Sequence, residues 1–184
     1  MIKSYLWAAP EVLVVSIGML IVGLVMRSIT VMCLVVLIVM VAWAVFRVPK
    51  RFASIEGGIA SPCEGRLVGI ECIEGERVRF TFRMTLMDAC VIRAPIAGRL
   101  VGEDTLETEI GQVNVRVVTP HNHWNIIQVA SAGVEQGDDL VIVKWMPQLR
   151  VEMIMPKHTV FEVVKIGDRV RVGDPVARIK SAWS

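Results

Sequence analysis

Two unlike patterns of apolar and polar positions meet near Pro49. From Trp7 to Phe46 only Glu11 and Arg27 are charged. Val12 to Met26 is apolar except for Ser16 and two glycines, and Ile29 to Phe46 is apolar except for Thr30. A helix that spans a bilayer needs about 20 apolar residues, with about 17 as the lower limit. Residues 7–26 and 29–46 therefore predict a transmembrane helical hairpin, turned at Arg27-Ser28, within an anchor over residues 1–51. The alternative is one spanning segment, with the other lying along the interface or on a partner. A cleaved signal peptide fits poorly, because its apolar region runs to only about 7–15 residues and ends at a small-x-small site.

After Pro49 the apolar positions begin to alternate. Val78-Arg79-Phe80-Thr81-Phe82-Arg83-Met84 and Val113-Asn114-Val115-Arg116-Val117 have the period of two that marks a half-buried strand. Leu140 to Trp145, Val151 to Met155 and Val160 to Val164 are further short runs rich in β-branched residues. Glycine-bearing turns separate them, among them Ala97-Gly98-Arg99, Ile166-Gly167-Asp168 and Val172-Gly173-Asp174. Residues 52–184 thus predict a mainly β domain, a barrel or sandwich with room for one short helix. Ser61-Pro62-Cys63-Glu64-Gly65-Arg66-Leu67-Val68 has an internal echo in Ala94-Pro95-Ile96-Ala97-Gly98-Arg99-Leu100-Val101. Proline fixes one φ and glycine frees another, so each segment reads as a turn entering a strand. Such economy suits a barrel-sandwich hybrid, the architecture of lipoyl and biotinyl carriers.

Composition sharpens the picture. The chain has 184 residues, 54% hydrophobic and 21% charged, against about 45–50% and 25% for a soluble domain. Twenty basic and 18 acidic residues leave a net charge of +2, which gives no case for nucleic acid. Lys3, Arg47, Lys50 and Arg51 flank the apolar segments, and the positive-inside rule puts both termini and the β domain on the cytoplasmic side of an inner membrane. Four cysteines (Cys33, Cys63, Cys72, Cys90) form no CxxC pair and predict no disulfide framework. His121-Asn122-His123-Trp124-Asn125 is the densest polar cluster. With Cys63 or Cys90 it could hold zinc, but no second ligand pair stands at finger spacing, so no metal is assigned. The cluster reads better as an interfacial loop around Trp124. Val151-Glu152-Met153-Ile154-Met155 has Ile154 where a biotinyl carrier needs lysine, and reads as a core strand.

Together these pieces resemble the phosphatidylserine decarboxylase family in its short bacterial and archaeal form. The resemblance covers the chain in order. An apolar hairpin and the junction Val45-Phe46-Arg47-Val48-Pro49-Lys50-Arg51 come first. Ser61-Pro62-Cys63-Glu64-Gly65 follows, where the family has Ser-Pro-x-Asp-Gly. Met84-Thr85-Leu86-Met87-Asp88-Ala89-Cys90-Val91-Ile92-Arg93-Ala94-Pro95-Ile96-Ala97-Gly98 is similar to the family's Met-Ser-Pro-x-Asp-Val-His-Val-Asn-Arg-Ala-Pro-x-x-Gly, and Gly167 to Gly173 to its late Gly-Asp-x-Val-x-x-Gly run. The resemblance implies decarboxylation of phosphatidylserine to phosphatidylethanolamine on a pyruvoyl group. The family makes that group from its own serine, with aspartate and histidine in support.

Here Glu64 stands for the aspartate and Cys90 for the histidine. The Gly-Ser cleavage pair is expected after Val176-Ala177-Arg178-Ile179-Lys180, where the chain reads Ser181-Ala182-Trp183-Ser184. A thiol near pKa 8.5 replaces poorly an imidazole near 6.5 as a proton shuttle. The expectation is therefore a membrane-anchored, catalytically degenerate relative in phospholipid metabolism, without its own pyruvoyl cofactor. Arg93, His121, His123 and Trp124 are the candidate lipid-headgroup residues. The expected partners are the phospholipid membrane and either a second copy or a partner protein, with no nucleic acid. The rival readings are an active, divergent carboxy-lyase and a non-enzymatic membrane adaptor with a lipoyl-like domain.

Overall fold

A proline fits the first position of a helix, where its missing N–H has no partner to lose. Pro10 opens α1 (Pro10–Val25, 16 residues), and α2 (Ile29–Val45, 17 residues) follows. The computed structural model describes residues 10–25, 29–45, 57–85, 88, 91–118, 126–128, 132–143, 148–157 and 160–179. The chain divides into two units, Met1–Lys50 and Arg51–Ser184.

In the first unit α1 and α2 pack along a narrow seam. Ser16, Met19 and Gly23 lie at helical spacing on one side, with Val31, Val35 and Ile38 on the other. Gly23 sets the closeness of this approach, since a Cβ there would lie 3.2 Å from Val31 Cγ1. Away from the seam the helices expose Val14, Ile17, Leu24, Ile29, Leu37 and Met40. At 1.5 Å per residue the helices measure about 24 and 26 Å, against a hydrocarbon core of about 30 Å. Among the described residues no helix is long and apolar enough to cross a membrane. The expected spans over residues 7–26 and 29–46 are thus not matched by regular helix of spanning length. Residues 7–9, 26 and 46 lie outside the described residues.

The second unit is mainly β. Its strands are β1 (Gly58–Ala60), β2 (Gly65–Ile73), β3 (Arg77–Thr85), β4 (Val91–Arg93), β5 (Gly98–Leu100), β6 (Thr105–Thr108) and β7 (Gly111–Val118). They continue as β8 (Ile126–Gln128), β9 (Gly133–Val134), β10 (Asp139–Val143), β11 (Gln148–Pro156), β12 (Val160–Glu162), β13 (Arg169–Val170) and β14 (Pro175–Ile179). No α-helix occurs among the described residues of this unit. Alternation builds the core. β3 buries Val78, Phe80, Phe82 and Met84, and its partner β11 buries Leu149, Val151, Met153 and Met155. Ile154 falls on the opposite face of β11, consistent with reading that strand as core rather than as a carrier-lysine turn.

The strands form three antiparallel sheets, in the orders β1-β14-β12, β4-β10-β8 and β13-β2-β3-β11-β7-β6-β5-β9. The long sheet is a palindrome. Reading inward from its two ends, β13 matches β9, β2 matches β5, β3 matches β6 and β11 matches β7. The two small sheets match in the same way, and the match extends to register. Ile59 faces Ala177 and Ala60 faces Pro175 across a bulge, while Ile92 faces Val141 and Arg93 faces Asp139 across a bulge. Val170 faces Gly65, and Val134 faces Gly98. Ala60 N donates to Pro95 O (2.9 Å), and its counterpart Arg93 N donates to Pro62 O (2.8 Å). The domain is therefore an internal duplicate about a pseudo-twofold axis that passes by the Met153–Val115 pair. One repeat (residues 91–143) is inserted between the two halves of the other (residues 58–85 and 148–179). The Pro-x-x-Gly-Arg-Leu-Val echo in the sequence is the visible part of this duplication.

The Gly-Asp runs have a local cause. In Lys165-Ile166-Gly167-Asp168, Arg171-Val172-Gly173-Asp174 and Glu135-Gln136-Gly137-Asp138, the aspartate N–H donates to the carbonyl three residues back. Its carboxylate accepts that same residue's N–H at 2.7–2.9 Å. The glycine between takes φ of 89–99°, which a side chain disfavours. These runs are turn devices.

Candidate functional site

The site grows from Thr85 and Asp88, which exchange the same two hydrogen bonds. Asp88 N donates to Thr85 O (3.0 Å), and Asp88 Oδ2 accepts from Thr85 N (2.7 Å) and from Thr85 Oγ1 (2.9 Å). This fixes the carboxylate at the end of β3, nearly buried. Its free oxygen, Oδ1, accepts from Arg169 Nη2 on β13 at 2.8 Å. Glu64, entering β2, places Oε1 4.0 Å from the same guanidinium. The Arg169 side chain remains 64% exposed, so the two acids orient it without closing it off. Gly65, Arg66, Arg83, Thr85, Asp88 and Arg169 line an open cleft of about 240 Å³.

Behind the cleft Ser61 and Cys63 are fully buried, and Ser61 Oγ donates to Cys63 O at 2.7 Å. The Cys63 thiol is held far above its usual range, first by burial and then by the nearby Asp88 and Glu64 charges. It stays protonated in the folded protein and is a poor nucleophile at neutral pH. Below about pH 8.5 folded and unfolded chains both keep this proton, so the thiol adds no pH dependence. Above that, only the unfolded chain releases it, and stability should fall by about 1.4 kcal/mol per pH unit from this group. Denaturation of wild type and Cys63→Ala across alkaline pH measures this, and the variant should lack that part of the slope.

The pseudo-twofold axis supplies an internal comparison. The counterparts of Cys63, Glu64 and Arg66 are Ile96, Ala97 and Arg99. The register pairs Arg66 with Arg83 and Arg99 with Glu107, so Glu107 takes the place of Arg83. Arg169 faces Arg66 where Gly133 faces Arg99. The same backbone is thus built twice, but the charged cleft only once. The second repeat builds this backbone without these side chains, so the charged cleft does not follow from the topology alone.

Of the sequence candidates, Glu64 is at this site. Arg93 is not: it is 1% exposed, and its Nε donates to Asp139 Oδ1 at 2.8 Å, tying β4 to β10. Cys90, His121, His123, Trp124, Ser181 and Ser184 lie outside the described residues. Among the described residues no group of His, Cys, Asp and Glu could hold a metal ion. Arg66, Arg83 and Arg169 were not singled out by sequence, and Asp88 was seen only as part of a motif. The signal for Arg66 and Arg83 was their outward place in alternating strands. The chain matches no protein-family model and no curated protein sequence.

Proposed function

We propose that this is a membrane-associated protein of phospholipid metabolism, similar to phosphatidylserine decarboxylase, whose β domain binds a lipid headgroup and performs no decarboxylation by itself. One observation carries the reading. Three of the segments behind the resemblance, far apart in sequence, converge on one guanidinium: Glu64 from the Ser-Pro motif, Asp88 from the segment before Arg93 and Arg169 from the late Gly-Asp run. Arg66 and Arg83, with no side-chain partner among the described residues, suit a phosphodiester beside the oriented Arg169, and the Asp88 and Glu64 carboxylates at its edge suit an ammonium group. A zwitterionic or anionic amino-phospholipid carries both.

The apolar faces of α1 and α2 serve as the lipid-facing anchor of a barrel-sandwich-like domain at the cytoplasmic face. A helix shorter than the bilayer core is accommodated by local thinning, by flanking residues that reach the interface, or by association. The degenerate reading follows from Glu64 and Cys90 in the family's aspartate and histidine places. No Gly-Ser pair occurs in these 184 residues, and without a pyruvoyl no electron sink would take the carbanion that decarboxylation leaves.

The test is to incubate the full chain with phosphatidylserine vesicles, then measure the intact mass and the ethanolamine lipid formed. The expected result is an uncut 20.4 kDa chain, unreactive to carbonyl reagents, with phosphatidylserine unconverted. Two fragments, one bearing a reactive carbonyl, would establish the active lyase instead.

A further inference from the structure

The arginines of the cleft belong to a longer row. Arg169 on β13 lies directly opposite Arg66 on β2, Arg66 opposite Arg83 on β3, and Arg83 opposite Arg150 on β11. Residues directly opposite on neighbouring strands point to the same side of a sheet. All four are exposed. Strands lie about 4.8 Å apart, so the row crosses about 14 Å of the open face, starting at the edge strand. Asp88 partners Arg169. Arg66, Arg83 and Arg150 make no side-chain hydrogen bond or ion pair among the described residues. Apart from Asp88 and Glu64 at Arg169, the next acid on β11, Glu152, two residues from Arg150, stands opposite Arg116 and 3.9 Å from Arg79.

Like charges directly opposite one another destabilise a sheet. The pseudo-twofold mate of this row reads Gly133, Arg99, Glu107, Gln112, a near-neutral set on the same backbone. The fold therefore tolerates a neutral row, and four aligned arginines are a cost accepted for a ligand. The ligand must be anionic and extended, because Arg150 lies outside the cleft.

We infer that this row is a docking surface for an anionic lipid bilayer, which holds the sheet face and the cleft mouth against the headgroups. The inference rests on the lipid reading above and adds a site to it, since Arg150 takes no part in the cleft. A bilayer fits better than a nucleic acid. The whole chain is only +2, and the neighbours of the row on that face include Val68, Thr81, Thr85, Val118, Gln148 and Glu152, none of which offers a ring for base stacking. The same chain also carries two helices with exposed apolar faces.

The test uses the full chain in phosphatidylcholine nanodiscs, mixed with separate vesicles of phosphatidylcholine alone or with about one quarter phosphatidylglycerol. Co-sedimentation measures docking. Wild type should bind the anionic vesicles and not the neutral ones, with binding weakened by salt. Arg150→Glu changes two units of charge at roughly fivefold each, and should weaken docking about 30-fold. Arg150→Lys should retain it, and Gln112→Glu on the mate row should leave it unchanged. Equal binding by Arg150→Glu, or by neutral vesicles, overturns the proposal. So does displacement by millimolar inorganic phosphate, which would mean a single-anion site. Binding of a single-stranded oligonucleotide with the same dependence on Arg150 also overturns it. If the chain does not enter nanodiscs, the anchor reading fails, and the same sedimentation is run on the free chain. If Arg150→Glu docks poorly yet still binds a short-chain phosphatidylserine, row and cleft are separate. Loss of cleft binding with docking intact would sink the headgroup reading and leave this one standing.

Discussion

Arg93→Ala should cost the β domain about 3–5 kcal/mol, the range seen when one partner of a buried ion pair is removed. Arg93 is 1% exposed and its Nε lies 2.8 Å from Asp139 Oδ1. Truncation takes the Arg93 guanidinium from that carboxylate, only 16% exposed, at the pairing of β4 with β10. The pair sits where the other repeat has Ala60 facing Pro175, so the fold itself does not demand it. The double replacement Arg93→Met with Asp139→Leu should therefore recover most of the loss, since an apolar pair of similar volume can replace a buried ion pair at little cost. Urea denaturation of the full chain measures both. A single variant as stable as wild type would show that the pair contributes nothing, and an unrecovered double variant would show that the charges themselves are needed.

Gly65→Ala and Gly98→Ala should each destabilise by about 1–3 kcal/mol, the cost of overpacking a close contact. At both positions a Cβ would lie 2.6 Å from a carbonyl oxygen of the facing strand, Arg83 O in one repeat and Glu107 O in the other. Neither oxygen is the end of a flexible side chain, so the strands must part. At an open site with ordinary φ the same change would stabilise by about 0.4–1 kcal/mol through the unfolded chain, so the sign of the effect tests the geometry. The two variants should separate in function. Gly65→Ala moves the Arg83 backbone at the cleft and should weaken headgroup binding, whereas Gly98→Ala should leave it intact. Equal binding losses would place the contact outside the site.

The domain was legible wherever burial is periodic. Val78 to Met84 alternates in sequence and lies in β3 with alternate residues buried. The Pro-x-x-Gly-Arg-Leu-Val echo pointed to a repeat. It could not reveal that one copy is inserted in the other, because the closing strands β13 and β9 are two residues each and carry almost no pattern. Glu64 was legible through its motif. Its meeting with Asp88 and Arg169 was not, because that depends on β13 pairing with β2 across about 100 residues of chain. The four-arginine row was hidden for a related reason: a bulge between Leu67 and Gly69 shifts the β2–β3 register, and strand order cannot be read from spacing. The helices show the opposite failure. Their composition reads as spanning, but among the described residues regular helix covers 16 and 17 residues.

The central claim is that the charged cleft, present in one repeat and blank in the other, receives a phospholipid headgroup. Backbone amide NMR of the full chain, titrated with short-chain phosphatidylserine, tests it with a built-in control. Gly65, Arg66, Asp88 and Arg169 should shift in a saturable way, while the pseudo-twofold mates Gly98, Arg99 and Gly133 should stay in place. Shifts spread evenly over both repeats, or confined to the second, would contradict the account.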